Sequence, residues 1–143
     1  MARTGFIDHV GVGVPDLAAA MAYYDKLMPI LGLKHWFPTS ADGSFNYGPD
    51  GAGGSQLFFY QALEPSEYSQ HSTGLQHIAF MVAARATVRE AHQWALSQGA
   101  EILHAPAEFP EYGQHYATYW LDPHGFKLEA VCFAPEEPDA QGR

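Results

Sequence analysis

The chain has 143 residues, about one ordinary domain of ~100 to 200 residues or two small modules, which argues against a large separate cofactor domain. Hydrophobic residues make up 47% and charged residues 16%, enough apolar side chain for a packed core, so extensive disorder is excluded. The net charge of −9, from 16 acidic against 7 basic residues, has the wrong sign for neutralising phosphates and makes nucleic acid a poor partner.

The single cysteine, Cys132, rules out an internal disulfide and a four-thiol zinc site. The start, MARTG, leads directly into a strand pattern rather than a secretory signal, and no apolar run approaches ~18 residues. The expectation is a soluble cytoplasmic protein without a membrane partner.

In chain order, His9-Val-Gly-Val-Gly-Val14 reads as a strand. A helix follows over 16–31, with Asp16 as N-cap, Leu17, Met21, Tyr24, Leu27, Met28 and Leu31 as its apolar residues, and Gly32 as the stop. Pro29 should kink or interrupt the last turn. Three strands come next, over 34–38, 45–47 and 56–60, with breakers at 41–43 and 49–54. A polar connection over 64–72 then leads to His77-Ile-Ala-Phe-Met-Val82, a second strand headed by His, 68 positions after the first. It precedes a helix over 84–98, with capping-box spacing at Thr87 and Glu90 and a stop at Gly99. Strands over 101–104, 115–121 and 126–133 complete the copy, with breakers at 106–113 and 122–125. The chain thus spells βαβββ twice, module 1 at about 5–61 and module 2 at about 74–133, within one domain spanning 1–143. Residues 134–143, lacking apolar periodicity, read as a frayed tail. The fold class expected is α+β: two tandem βαβββ modules forming a curved mixed sheet, cup-shaped, with the helices outside.

Side chains alternate across a strand. Val10, Val12 and Val14 should face the helix, and so should Ile78, Phe80 and Val82, and Phe126, Leu128 and Ala130. His9, His77 and Glu129 then share the opposite face. Two imidazoles and a carboxylate suit a borderline divalent metal and leave positions open for water or substrate oxygens. The other histidines, at 35, 71, 92, 104, 115 and 124, show no local ligand spacing and read as surface or supporting residues. Gly11-x-Gly13 is followed by Asp16 where a dinucleotide fingerprint needs its third glycine, and residues 51–55 lack the Gly-Lys-Ser/Thr ending of a phosphate loop. Cys132, on the helix side of its strand, reads as core.

With Ile7-Asp-His9-Val-Gly-Val, Leu75-Gln-His77-Ile-Ala-Phe and Asp122-Pro-His-Gly-Phe-Lys-Leu-Glu129 in place, the doubled pattern resembles the vicinal oxygen chelate superfamily over about residues 5–133. That superfamily includes glyoxalase I, extradiol dioxygenases, fosfomycin-resistance transferases and bleomycin-binding proteins. The resemblance implies a metal on His9, His77 and Glu129. Glyoxalase I-like members carry a further acidic ligand on the fourth strand of the first module. Here Phe58 stands opposite Glu129, and Gln56 would need a two-residue register shift to substitute. A His-His-Glu set is similar to that of the dioxygenases and fosfomycin transferases, and Tyr119 matches the spacing of a dioxygenase tyrosine with a hydrogen-bonding or acid-base role.

The implied function is a divalent-metal enzyme acting on a small substrate with two adjacent oxygens. Fe(II) or Mn(II) is favoured, Zn(II) or Ni(II) is the alternative, and extradiol-dioxygenase-like chemistry is preferred to lyase or isomerase chemistry. Phe58, Tyr60, Met81 and Gln56 are the expected pocket residues, with Tyr119 as a further wall. The competing reading is a metal-free, bleomycin-resistance-like protein that sequesters a cationic drug, suggested by the acidic charge and aromatic content. The resemblance also implies a homodimer.

Overall fold

In a computed structural model, which describes residues 4–51 and 53–138, the elements follow the doubled order. Residues 1–3, within the MARTG start, residue 52, within the second breaker, and residues 139–143, half of the expected tail, lie outside the described residues. The chain divides into two compact units, Met1–Ser66 and Glu67–Arg143. Each is one βαβββ module with a four-stranded mixed sheet and one helix, so the fold is α+β.

The first module contains β1 (His9–Val14), α1 (Leu17–Leu31), β2 (Leu33–Lys34), β3 (Phe45–Pro49) and β4 (Gln56–Gln61), in the sheet order β1-β4-β3-β2. Strand β1 runs parallel to β4, as a strand returning after a long connection can, and the remaining neighbours are antiparallel. Asp16 caps α1 by accepting from the Ala19 amide at 3.0 Å. The helix runs past Pro29, which lies in its final turn on the exposed side, and ends at Gly32, whose φ of +82° suits glycine. The expected break at Pro29 is therefore absent.

The buried stripe of α1 is Ala20, Tyr23, Tyr24, Leu27, Met28 and Leu31, rotated from the expected one, since Leu17 and Met21 are only half-buried. It packs on an aromatic core in which Phe59 lies 4.5 Å from Tyr24 and stacks on Phe45 at 5.0 Å, ring centre to ring centre. Strand β2 ends at Lys34, four residues before its expected end, because Trp36 folds over the sheet and donates Nε1–H to the Pro49 carbonyl at 2.7 Å. Gly48 makes room for it, as a Cβ there would stand 2.5 Å from the indole.

The second module contains β5 (Ile78–Met81), α2 (Arg85–Ser97), β6 (Ile102–Glu108), a 3-10 turn (Pro110–Tyr112), β7 (Tyr116–Leu121) and β8 (Lys127–Cys132), in the sheet order β5-β8-β7-β6. Its β5–β8 pair is parallel and the others antiparallel, as in the first module. The expected capping box at Thr87 is not used: Thr87 lies inside α2, and the N-cap is Ala84, which has no side-chain acceptor. The break expected from Pro106 comes later, because β6 continues to Glu108. It is an edge strand with two register irregularities, a setting that tolerates a proline without a ladder donor.

Val88, Ala91 and Ala95 of α2 are buried, as are Phe80, Trp120, Leu128, Ala130 and the free Cys132. Thr118 lies 3.5 Å from His92 of α2, which marks its face of β7 as the helix side. By alternation, Ala117 and Tyr119 lie on the other face and form a smaller cluster with Val131, Leu103 and Phe109. No helix among the described residues is long and apolar enough to cross a membrane.

Candidate functional site

The site in the second module begins with the Asp122-Pro-His-Gly125 turn. Asp122 accepts through Oδ1 from the amides of His124 and Phe126 at 2.8 and 2.9 Å, while its own amide donates to the Phe126 carbonyl. This closed turn fixes the β7–β8 register, pairing Leu121 with Lys127 and therefore Tyr119 with Glu129. Glu129 is only 2% exposed, and a buried carboxylate is stable only when its oxygens find donors or cations.

Three side chains supply them. Tyr119 donates its hydroxyl to Oε1 at 2.9 Å, His115 Nε2 lies 2.8 Å from the same oxygen, and His77 Nε2 lies 3.1 Å from Oε2. Burial, then the hydrogen bond to Glu129 and its charge, raises the Tyr119 pKa well above the ordinary tyrosine value. Tyr119 is accordingly a proton donor in a hydrogen bond at neutral pH, not a base.

His77 is held from its other side, where Nδ1 contacts Oε1 of Gln76, the preceding residue. An amide oxygen only accepts, so Nδ1 carries the hydrogen. Nε2 then faces the carboxylate either as an imidazolium N–H or as a lone pair. Two lone pairs 3.1 Å apart repel unless a cation lies between them, and two ligands each ~2.1 Å from one ion are separated by about 3.0 to 3.4 Å. The donor set of His77 and Glu129 therefore fits a shared proton or a shared divalent ion.

His9 in the first module has the same arrangement: Nδ1 contacts Oδ2 of the preceding Asp8 at 2.7 Å, which leaves Nε2 as the ligand nitrogen. The strand registers make the repeat exact. Val10 pairs with Leu57 and Gly11 with Phe58, as Ile78 pairs with Leu128 and Ala79 with Glu129. Phe58 thus occupies the position of Glu129, and its ring lies 5.3 Å from that of His9. Among the described residues, no group of three or more His, Cys, Asp or Glu side chains is arranged as a metal-ligand set.

A cavity of about 590 Å³ opens onto His77, His115, Tyr119 and Glu129, with Phe109 and Tyr112 among its walls. Lys127, on the same face as Glu129, holds its ammonium 5.0 Å from the Tyr119 ring centre. Of the expected pocket residues, Phe58 and Tyr60 stack on each other at 6.3 Å in the first module, and Gln56 pairs in register with His9. Met81, at the end of β5, is largely exposed and does not line the cavity of its own module.

Sequence reasoning set His115 aside with the surface or supporting histidines. Alternation puts His115 on one face with Ala117 and Tyr119, but the ladder pairs Tyr119 with Glu129, and the reach of His115 to the same carboxylate depends on side-chain direction. The two residues that hold His9 and His77, Asp8 and Gln76, were also missed, although each immediately precedes a repeated histidine.

Comparisons agree with this architecture. A family profile described as Glyoxalase/Bleomycin resistance protein/Dioxygenase superfamily matches residues 8–119, spanning both histidines of the repeat and stopping before Glu129. The chain is similar to an uncharacterized protein, YqjT, of Bacillus subtilis (strain 168), with 27% identity over 128 residues, covering 87% of this chain and 96% of that protein. A crystal structure of a candidate glyoxalase from Bacillus halodurans superposes with a TM-score of 0.74 at 29% identity, covering 90% of this chain and 96% of that one. A glyoxalase/dioxygenase from Nostoc punctiforme shares the fold, with a TM-score of 0.70 at 23% identity and 92% of each chain covered. The doubled βαβββ order and the profile match over most of the length lead to one conclusion: this chain belongs to the glyoxalase/bleomycin resistance protein/dioxygenase superfamily.

Proposed function

We propose that the protein is a cytoplasmic, homodimeric enzyme that uses a divalent metal on His9, His77 and Glu129, the two modules acting as one domain. Its substrate is a small molecule with two adjacent oxygens. The observation that carries the reading is the 3.1 Å approach of His77 Nε2 to the buried Glu129 carboxylate, with Nδ1 committed to Gln76. His9 joins them on its repeat equivalence and its matching Asp8 contact.

Bound there, an ion such as Fe(II) or Mn(II), or else Zn(II) or Ni(II), supplies either Lewis-acid polarisation or a redox centre for dioxygen. The chain's own residues orient and shelter the substrate: Phe109 and Tyr112 offer aromatic walls, and the Tyr119 hydroxyl keeps its proton and donates it in a hydrogen bond to Glu129. Extradiol-dioxygenase-like chemistry is preferred to lyase or isomerase chemistry, because Phe58 stands where a second carboxylate would be needed. Phe58, Tyr60 and Gln56 of β4 remain the proposed substrate-facing residues, whereas Met81 of β5 stands off the cavity of its module.

The test is elemental analysis of wild type, His77→Ala and Glu129→Ala, purified without chelator or a metal-binding tag. The expected result is about one ion per chain in wild type, lost in both variants. Iron directs a substrate screen toward catechols under oxygen, and zinc or nickel toward hydroxy-ketones and thiol adducts. Wild type that takes up none of the candidate ions overturns the metal reading. The lead then passes to sequestration of a cationic ligand, for which the acidic balance and aromatic walls speak.

A further inference from the structure

Glu129 presents its two oxygens unequally. Oε1 receives both the Tyr119 hydroxyl and His115 Nε2, at 2.9 and 2.8 Å, whereas Oε2 faces only His77. A carboxylate oxygen has two lone pairs in its plane, so two donors saturate Oε1. His115 is well placed for this, with its side chain 13% exposed and its ring wedged against Phe109 and Phe133, 6.0 and 5.4 Å away. It also differs from His9 and His77. Those two direct Nδ1 at the side-chain oxygen of the preceding residue and leave Nε2 as the ligand nitrogen, whereas His115 commits Nε2 to the carboxylate.

We infer that His115 is a positioning residue: it donates Nε2–H to Glu129 Oε1 and, with Tyr119, turns the carboxylate so that Oε2 alone is offered to a cation shared with His77. The inference rests on the metal reading above, but its geometry belongs to the metal-free protein. A natural control exists in the first module, where His35 and Tyr47 both lie 2.6 Å from one oxygen of Asp25. The chemistry is the same there, and the location is away from His9.

The experiment titrates Mn²⁺ and Zn²⁺ separately into wild type, His115→Ala, His115→Gln, Tyr119→Phe and His35→Ala by calorimetry. His115→Ala is expected to bind 10- to 100-fold more weakly, as for other residues that orient metal ligands. His115→Gln, which keeps an N–H donor, should recover most of that loss, Tyr119→Phe should lose a smaller factor, and His35→Ala should match wild type. Undiminished affinity in His115→Ala, or no recovery in His115→Gln, overturns the inference.

If wild type binds neither ion, the metal reading fails for those ions, and imidazole ¹⁵N spectra of the metal-free protein decide the positioning role separately. The expected spectrum shows His115 protonated at Nε2 with a signal that moves in Glu129→Leu. A His115 signal indifferent to that substitution overturns the inference.

Discussion

Each module joins a tyrosine and a histidine on one carboxylate oxygen, and the two clusters differ in what surrounds them. In the first, Tyr47 and His35 meet on Asp25, a residue of α1 that is nearly half exposed, and the cluster ties the helix to the sheet. In the second, Tyr119 and His115 meet on Glu129, which is buried on the sheet face away from α2, beside a cavity and a second, differently oriented histidine, His77. The groups are alike, so the cluster by itself does not make a site. What distinguishes the second is a desolvated carboxylate with one oxygen unsaturated and aimed at His77. The repeat-equivalent positions in the first module hold Phe58 and Asn46 in place of Glu129 and Tyr119, so that copy has an apolar wall where the second has a charge.

The largest expected effect lies in the two cores. Phe59 of the first module is fully buried against Tyr24 and Phe45, while its counterpart in the second module is Ala130. Phe59→Ala should cost about 3 to 5 kcal/mol in denaturant unfolding. A cost under about 1 kcal/mol would mean that the aromatic stack is not the keystone of that module.

The next effect is pH dependence. Burial first, and Asp25 second, raises the pKa of Tyr47, as burial and then Glu129 raise that of Tyr119. Below about pH 10, the ordinary tyrosine value, both are protonated folded or unfolded and their contribution is fully present. Above it the unfolded chain releases these protons first, so stability falls as pH rises. Tyr47→Phe and Tyr119→Phe should each flatten part of the alkaline loss in melts between pH 9 and pH 11, a range set by the ordinary value of about 10. An unchanged slope in both would refute the assignment.

Smaller again are the helix starts. Asp16→Ala should cost about 1 kcal/mol, and Ala84→Asp, supplying the acceptor that α2 lacks, should gain roughly as much. Equal and opposite shifts in melting temperature would show that only the cap separates these two helix starts.

A separate test is Glu129→Leu in metal-free protein, which should cost about 1 to 3 kcal/mol because the buried Tyr119 hydroxyl and His115 Nε2–H lose their acceptor. Ion binding in the same variant should vanish. A larger loss of stability would mean that Glu129 is retained for folding.

Much of this was legible because it depends on local periodicity. The doubled βαβββ order, Asp16 and Gly32 at the ends of α1, and the opposite faces of Leu128 and Glu129 follow from periods of two and 3.6 and from capping chemistry. The family resemblance rests on the same short motifs. Errors fell where distant groups override local preference: Trp36 covering Gly48 ends β2 early, an edge position lets β6 pass Pro106, and Thr87 is drawn into α2.

The amino-acid sequence alone determined which residues alternate, where the turns fall and which histidines repeat, since these depend on neighbours within a few positions. Only the tertiary structure decided that His115 reaches Glu129 across fourteen residues, that one carboxylate oxygen is saturated while the other faces His77, and that Met81 stands off the cavity. Those outcomes depend on strand register, side-chain direction and burial, which are settled when the chain packs and carry no local signature in composition or spacing.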